Sequence, residues 1–192
     1  AYDAPLDLRS VSDATIRLTR RAEELLVGGQ ITLKEAGLTT DINFDTGLFA
    51  AITAPRTLDL TEPRNPLLER VRFNVDVDTA TPITIDNNLA RAEIDADLRV
   101  VGTPYEPGLT GRMTIAEGGQ LTLNARRYEV ERGVITFIDE RHIVPSVDLV
   151  LNTRASDYDV RIAVAGTPGK TETSWTSEPP LPEPDIMALV VT

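Results

Sequence analysis

The chain has 192 residues, with 19 Lys and Arg against 30 Asp and Glu, a net charge of −11. That balance argues against a nucleic-acid backbone as partner, because phosphate binding needs clustered cations. It leaves room for an apolar lipid-binding face behind an acidic exterior. Cysteine is absent, which removes disulfides and thiolate metal sites, and no apolar run is long enough to cross a membrane as a helix.

Read in order, the chain is a succession of short alternating segments. Leu6 and Leu8 alternate with Asp7 and Arg9, and Ile16 and Leu18 with Arg17 and Thr19. Leu25-Leu26-Val27 follows, then Gly28-Gly29, which reads as a turn, then Ile31 and Leu33. A weaker strand pattern from Leu38 to Leu48 contains Ile42 and Phe44. Residues 54–66 hold three prolines among charges. That is an irregular connection, since proline cannot donate to an interior ladder. The same β pattern resumes after it, so residues 1–192 read as a single domain. The chain reads as a fragment of a longer polypeptide.

The cleanest strands come next. Val71, Phe73, Val75 and Val77 alternate with Arg72, Asn74, Asp76 and Asp78. Pro82 opens a strand with Ile83 and Ile85. Ala92, Ile94, Ala96, Leu98 and Val100 then alternate with Arg91, Glu93, Asp95, Asp97 and Arg99. From Leu109 to Phe137 the pattern predicts four short strands, with turns at Gly118-Gly119 and at Glu131-Arg132-Gly133. Val147, Leu149 and Leu151 make another face, as do Tyr158, Val160, Ile162 and Val164. Gly-Thr-Pro ends two of these strands, at 102–104 and 166–168, and reads as two similar strand exits. Pro182-Glu183-Pro184-Asp185 before Ile186-Met187-Ala188-Leu189 predicts a helix start.

Period-two alternation gives each strand one dry face. With no long helix to cover that face, three all-β architectures remain: a two-sheet sandwich, a closed barrel, or one long sheet folded lengthwise around its apolar side. Periodicity alone favours the first two. In the third, about twelve strands 4.8 Å apart would make a trough roughly 55 Å long. Its Leu, Ile and Val lining suits acyl chains better than flat rings, and suits an ordinary core equally well.

Nothing points to catalysis, a metal or a cofactor. His142 is the single histidine and lies in a charged turn, Asp139-Glu140-Arg141-His142. Asp76, Asp78, Asp95 and Asp97 sit two apart on strands, which places them on the wet face rather than around calcium. Nucleophile elbow and phosphate loop are both missing, so the chain is not expected to be an enzyme.

Eight pieces, in order, carry a resemblance. They are Ile83-Thr84-Ile85-Asp86-Asn87-Asn88, Ala96 to Thr103, Leu109-Thr110-Gly111-Arg112-Met113, and Gly118-Gly119-Gln120-Leu121. Arg127 to Phe137 is the most specific, followed by Pro145 with Val147-Asp148-Leu149, Val160 to Gly166, and Ser177 to Leu181 leading into Asp185-Ile186-Met187. Together they resemble the C-terminal domain of the TamB family, AsmA-like envelope proteins of translocation and assembly. Gly28 to Leu33 is similar to an earlier strand pair of that family. Two departures stand out: the family usually continues past the short helix, and its long anchored N-terminal part is missing.

The resemblance implies a long curled sheet of amphipathic strands forming an apolar trough, β-taco-like, with a short C-terminal helix. This reverses the preference drawn from periodicity. It implies a periplasmic setting, with an inner-membrane anchor in the missing N-terminal part and reach to the outer membrane. The implied partners are phospholipid acyl chains, an outer-membrane barrel of the Omp85 class (TamA-like) and a larger envelope complex. The implied roles are phospholipid transport and outer-membrane protein assembly; the alternative is an assembly or scaffold module acting by β-augmentation without lipid transport. In the trough reading Ile94, Leu98, Val100, Met113, Ile115, Leu121, Leu123, Val130, Ile135, Phe137, Leu149, Val160, Ile162 and Val164 line one concave face. Arg99, Arg112, Asp148, Asp159 and Arg161 then point outward.

Overall fold

The computed structural model describes residues 8–39, 65–123 and 126–191. The strands, in order, are β1 (Leu8–Arg21), β2 (Glu24–Leu38), β3 (Val71–Thr79), β4 (Ile83–Asp86), β5 (Ala90–Gly102) and β6 (Pro107–Ile115). They continue as β7 (Gln120–Leu123), β8 (Arg126–Phe137), β9 (Pro145–Ala155), β10 (Tyr158–Thr167) and β11 (Lys170–Glu178). Helices α1 (Pro66–Glu69) and α2 (Glu183–Val191) complete the described elements. All eleven strands belong to one sheet. Its path runs β1-β2-β3-β5-β6-β8-β9-β10-β11, with β4 between β2 and β5 and β7 between β5 and β8. The periodicity-based preference for a sandwich or a barrel is therefore overturned.

Pairing is antiparallel except where β2 meets β3 and β4. Because β4 continues the line of β3, and β7 that of β6, the eleven strands occupy nine lanes. Nine lanes span about 38 Å at 4.8 Å spacing, shorter than the trough expected from twelve strands.

Two expected turns are strand interiors instead. Gly28 and Gly29 lie inside β2, and the chain reverses at Ala22-Glu23, where Ala22 has φ +54°. A Cβ on Gly29 would stand 1.9 Å from the Thr15 carbonyl oxygen, so glycine there permits close approach of β1. Glu131-Arg132-Gly133 is a β-bulge within β8, the register shifting between Val130 and Arg132. The four strands expected from Leu109 to Phe137 are thus three. Both Gly-Thr-Pro segments are strand exits, with Gly102 at φ +85° and Gly166 at φ +130°. The strand pattern around Ile42 and Phe44, and most of the irregular connection, lie outside the described residues. At the end of that connection Asn65 caps α1, its Oδ1 accepting from the Leu67 N–H at 3.0 Å.

The irregularities fall in neighbouring lanes on one side of the sheet, from β2 to β8. Lys34 is the extra residue of β2 where β1 shifts register. Residues 80–82 interrupt the next lane, 116–119 interrupt the lane of β6 and β7, and Glu131 is the bulge beside that. Bulges bend strands and increase their twist; these interruptions lie in the lanes from β2 to β8, with β5 running unbroken between them. The backbone polar groups beside them are paired. Ala80 donates to the Leu33 carbonyl at 2.7 Å, Ala116 to Glu93 at 2.8 Å, and Val130 to Gly119 at 2.7 Å. Thr79 Oγ1 accepts from the Ala96 N–H at 3.0 Å, standing in for a ladder bond where β3 ends.

Candidate functional site

The register carries one largely apolar face from β2 to β10, with Trp175 its apolar residue in β11. Val77 opposes Leu98, which opposes Gly111, which opposes Phe137. One step along, Ala96, Met113, Ile135 and Val147 form the next row, and Ile94, Ile115, Gly133, Leu149 and Val164 the one after. Val130, Leu151, Ile162 and Trp175 form a further row. Directly opposed residues share a side of the sheet, so these registers put all fourteen expected lining residues on one face. Arg99, Arg112, Asp148, Asp159 and Arg161 take the opposite face by the same registers.

Burial divides that face into three zones. Val130, Val160 and Ile162 are sealed, at 0%, 2% and 5% exposure. Ile94, Leu98, Val100, Met113, Ile115, Leu121, Ile135, Phe137, Leu149 and Val164 are half-buried. Leu123 sits at the rim, 40% exposed. Sequence reasoning left out Leu25, Val27, Ile31, Leu33, Phe73, Val75 and Val77, which extend the face into β2 and β3. Their alternation was visible; the pairing of β2 with β3, and of β3 with β5, was not.

Helix α2 makes the sealed zone. Ile186 and Val190 are buried in a cluster with Tyr128, Val130, Leu151, Ala155, Val160 and Ile162, flanked by Trp175, Leu181 and Leu189. Arg126 reaches onto this face from the start of β8, and its Nη2 donates to the Leu189 carbonyl oxygen at 3.0 Å. A guanidinium on a carbonyl of the last helical turn satisfies an orphan acceptor and complements the helix dipole. The approach to α2 is folded back by Ser177, whose Oγ accepts from the Leu181 N–H and donates to the Pro179 carbonyl.

The opposite face is mostly polar and laced with ion pairs, although Val150, opposed to Arg132 and Ala163, is buried on it. A shallow concavity of about 800 Å³ there is lined by Asp76, Asp78, Asp95, Asp97, Arg99 and Arg112, among others. Asp76 pairs with Arg99 at 2.6 Å, and Asp78 accepts from Gln30 at 2.9 Å and from Thr32 at 3.2 Å. Among the described residues no group of three or more His, Asp or Glu has metal-binding geometry. His142 is exposed, its Nδ1 3.0 Å from Asp139. The Arg141 backbone N–H and the His142 ring hold the Asp139 carboxyl below its ordinary range.

No described helix is long and apolar enough to cross a membrane. The family model of the TamB C-terminal domain matches residues 2–192. No curated protein matches the chain.

Proposed function

The chain belongs to the TamB C-terminal domain family, a family of envelope translocation and assembly modules, and from that premise we propose that its apolar face conducts phospholipid acyl chains through the periplasm. One observation carries the reading: along β2 to β6 the apolar face is half-buried at most positions and buried at Val75, Ala92 and Ala96, and no second layer covers it among the described residues. Exposing an acyl chain of about sixteen carbons to water costs roughly 13 kcal/mol at about 0.8 per methylene. A continuous aliphatic surface removes much of that cost wherever no charge interrupts it. The fourteen lining residues are the proposed contacts. An anchor in the inner membrane and a TamA-like barrel of the Omp85 class in the outer membrane complete the proposed setting, with no catalytic step in the chain itself.

Purification under mild conditions, followed by phosphorus assay and mass spectrometry of extracted lipid, tests this. Near-stoichiometric phospholipid is expected; lipid-free protein that also fails to take up added phospholipid would overturn the proposal.

A second reading rests on the sheet's ends. The outer edges of β1 and β11 pair with no other strand among the described residues, and an open edge accepts a partner strand by main-chain hydrogen bonds. Photocrosslinkers placed along β1 and β11 should capture an outer-membrane barrel if the module assembles proteins this way, and capture nothing if it does not.

A further inference from the structure

We propose that α2 is a displaceable occupant of a phospholipid site, holding the end of the apolar face closed until a lipid takes its place. This rests on the lipid reading above and gives it a specific site. The surface beneath α2 is continuous with the half-buried lining, since Leu149 and Leu151 are successive inward residues of β9, as Ile162 and Val164 are of β10. The lining therefore continues under the helix, where Ile186 and Val190 fill the space that an acyl chain arriving along the face would need.

Two donors at this end fit a lipid headgroup better than a core. Arg126 stands on the apolar side of the sheet and is occupied by one neutral carbonyl, that of Leu189. A phosphate oxygen is a stronger acceptor for a guanidinium than an amide carbonyl. Trp175 Nε1, in the same cluster, is buried without a hydrogen-bond partner, and buried donors are nearly always paired. In the exchange the acyl chain replaces Ile186 and Val190, a phosphate oxygen replaces the Leu189 carbonyl on Arg126, and the Pro179–Pro184 segment carries the helix aside. No covalent step is involved.

Trp175 is the single tryptophan, so its emission reports this site alone. The probe is phosphatidylglycerol with brominated acyl chains, a short-range quencher of indole, with total bound lipid measured separately by phosphorus assay. Wild-type protein should be quenched only as lipid concentration rises high enough to displace α2, and quenching absent at saturating bound lipid would overturn the exchange. Ile186→Asp, which expels α2, should raise quenching at least three-fold at equal lipid concentration. Adding Arg126→Gln to that variant should weaken binding about ten-fold, while Arg126→Lys retains most of it. If Ile186→Asp does not fold, Ile186→Ala serves, with quenching expected to rise in the same direction. Bound lipid with quenching unchanged by either Ile186 variant would overturn the plug and leave the conduit standing. No lipid bound by any variant would overturn both.

Discussion

Glu131, the bulge residue of β8, reaches across β9 to Arg161 on β10, its two carboxylate oxygens meeting Nε at 2.8 Å and Nη2 at 2.7 Å. Asn152 of the intervening strand adds a bond at 3.2 Å. The pair spans three lanes on the polar side, opposite the cluster that α2 covers. The Arg161 and Asn152 bonds, with the nearby Arg132 charge, hold the Glu131 carboxyl down at about 2, against an ordinary 4.5.

A folded-state value below the unfolded one means the carboxylate stabilises the fold at neutral pH. That contribution is fully present above about pH 4.5 and is lost as pH falls toward about 2. Glu131→Gln should therefore have a lower Tm than wild type at pH 7 and at pH 5, with the gap closing between pH 4.5 and pH 2. A gap independent of pH would show that the side chain acts through packing alone.

Thr79 tests the interruption between β3 and β4. Its hydroxyl holds the backbone of Ala96 at the point where β3 stops and the ladder is interrupted. Thr79→Val keeps the shape and removes the acceptor, leaving the part-buried Ala96 N–H unpaired. The expected loss is about 1–3 kcal/mol, with faster amide exchange at Ala96. Unchanged exchange there would mean that another group replaces the hydroxyl.

Gly29 and Gly118 separate two reasons for glycine. Both have positive φ, +144° and +82°. A Cβ at Gly118 meets nothing within 4 Å, whereas at Gly29 it meets the Thr15 carbonyl oxygen at 1.9 Å. Gly118→Ala should cost about 1 kcal/mol, for left-handed backbone alone. Gly29→Ala must also push β1 away from β2, and should cost roughly 2–4 kcal/mol. Equal Tm losses would show that β1 shifts freely.

Those glycines also show what the sequence could and could not convey. Leu25, Val27, Gly29, Ile31 and Leu33 keep period two without a break, and that uninterrupted phase is the signal that β2 runs through Gly28-Gly29. Reading the glycine pair as a turn ignored it. At Val130 and Gly133 the inward positions are three apart, an odd step that announces an inserted residue; turn and bulge both satisfy it, and only pairing with β9 decides. The alternation in β3, β5, β6 and β10 was legible because each strand has one dry side. The parallel pairing of β2 with β3 was not, since it joins segments separated by the connection from 40 to 64. A short C-terminal helix was legible from Pro182 to Leu189; its seat on the apolar face was not, because it depends on the long-range cluster of Val130, Val160 and Ile162.

The most direct test of an open face compares Met113 with Val130, two residues of that face in different surroundings. A charge at Leu123 is a poor discriminator, because at 40% exposure an aspartate there reaches water in an open or a closed architecture. Met113 is half-buried between Ala96 and Ile135. On an open face the carboxylate of Met113→Asp turns outward into solvent, at a cost of about 1–2 kcal/mol, while interrupting the path of an acyl chain. Val130 is sealed under α2, so Val130→Asp buries an unpaired charge and should cost about 3–5 kcal/mol unless the helix leaves. The expected result is a Tm loss of about 2–8 °C with lipid uptake abolished for Met113→Asp, and a Tm loss about twice as large or more for Val130→Asp. The outward control Thr122→Asp should change neither. If Met113→Asp is as destabilising as Val130→Asp, the middle of the face is a closed core and the conduit loses its physical basis.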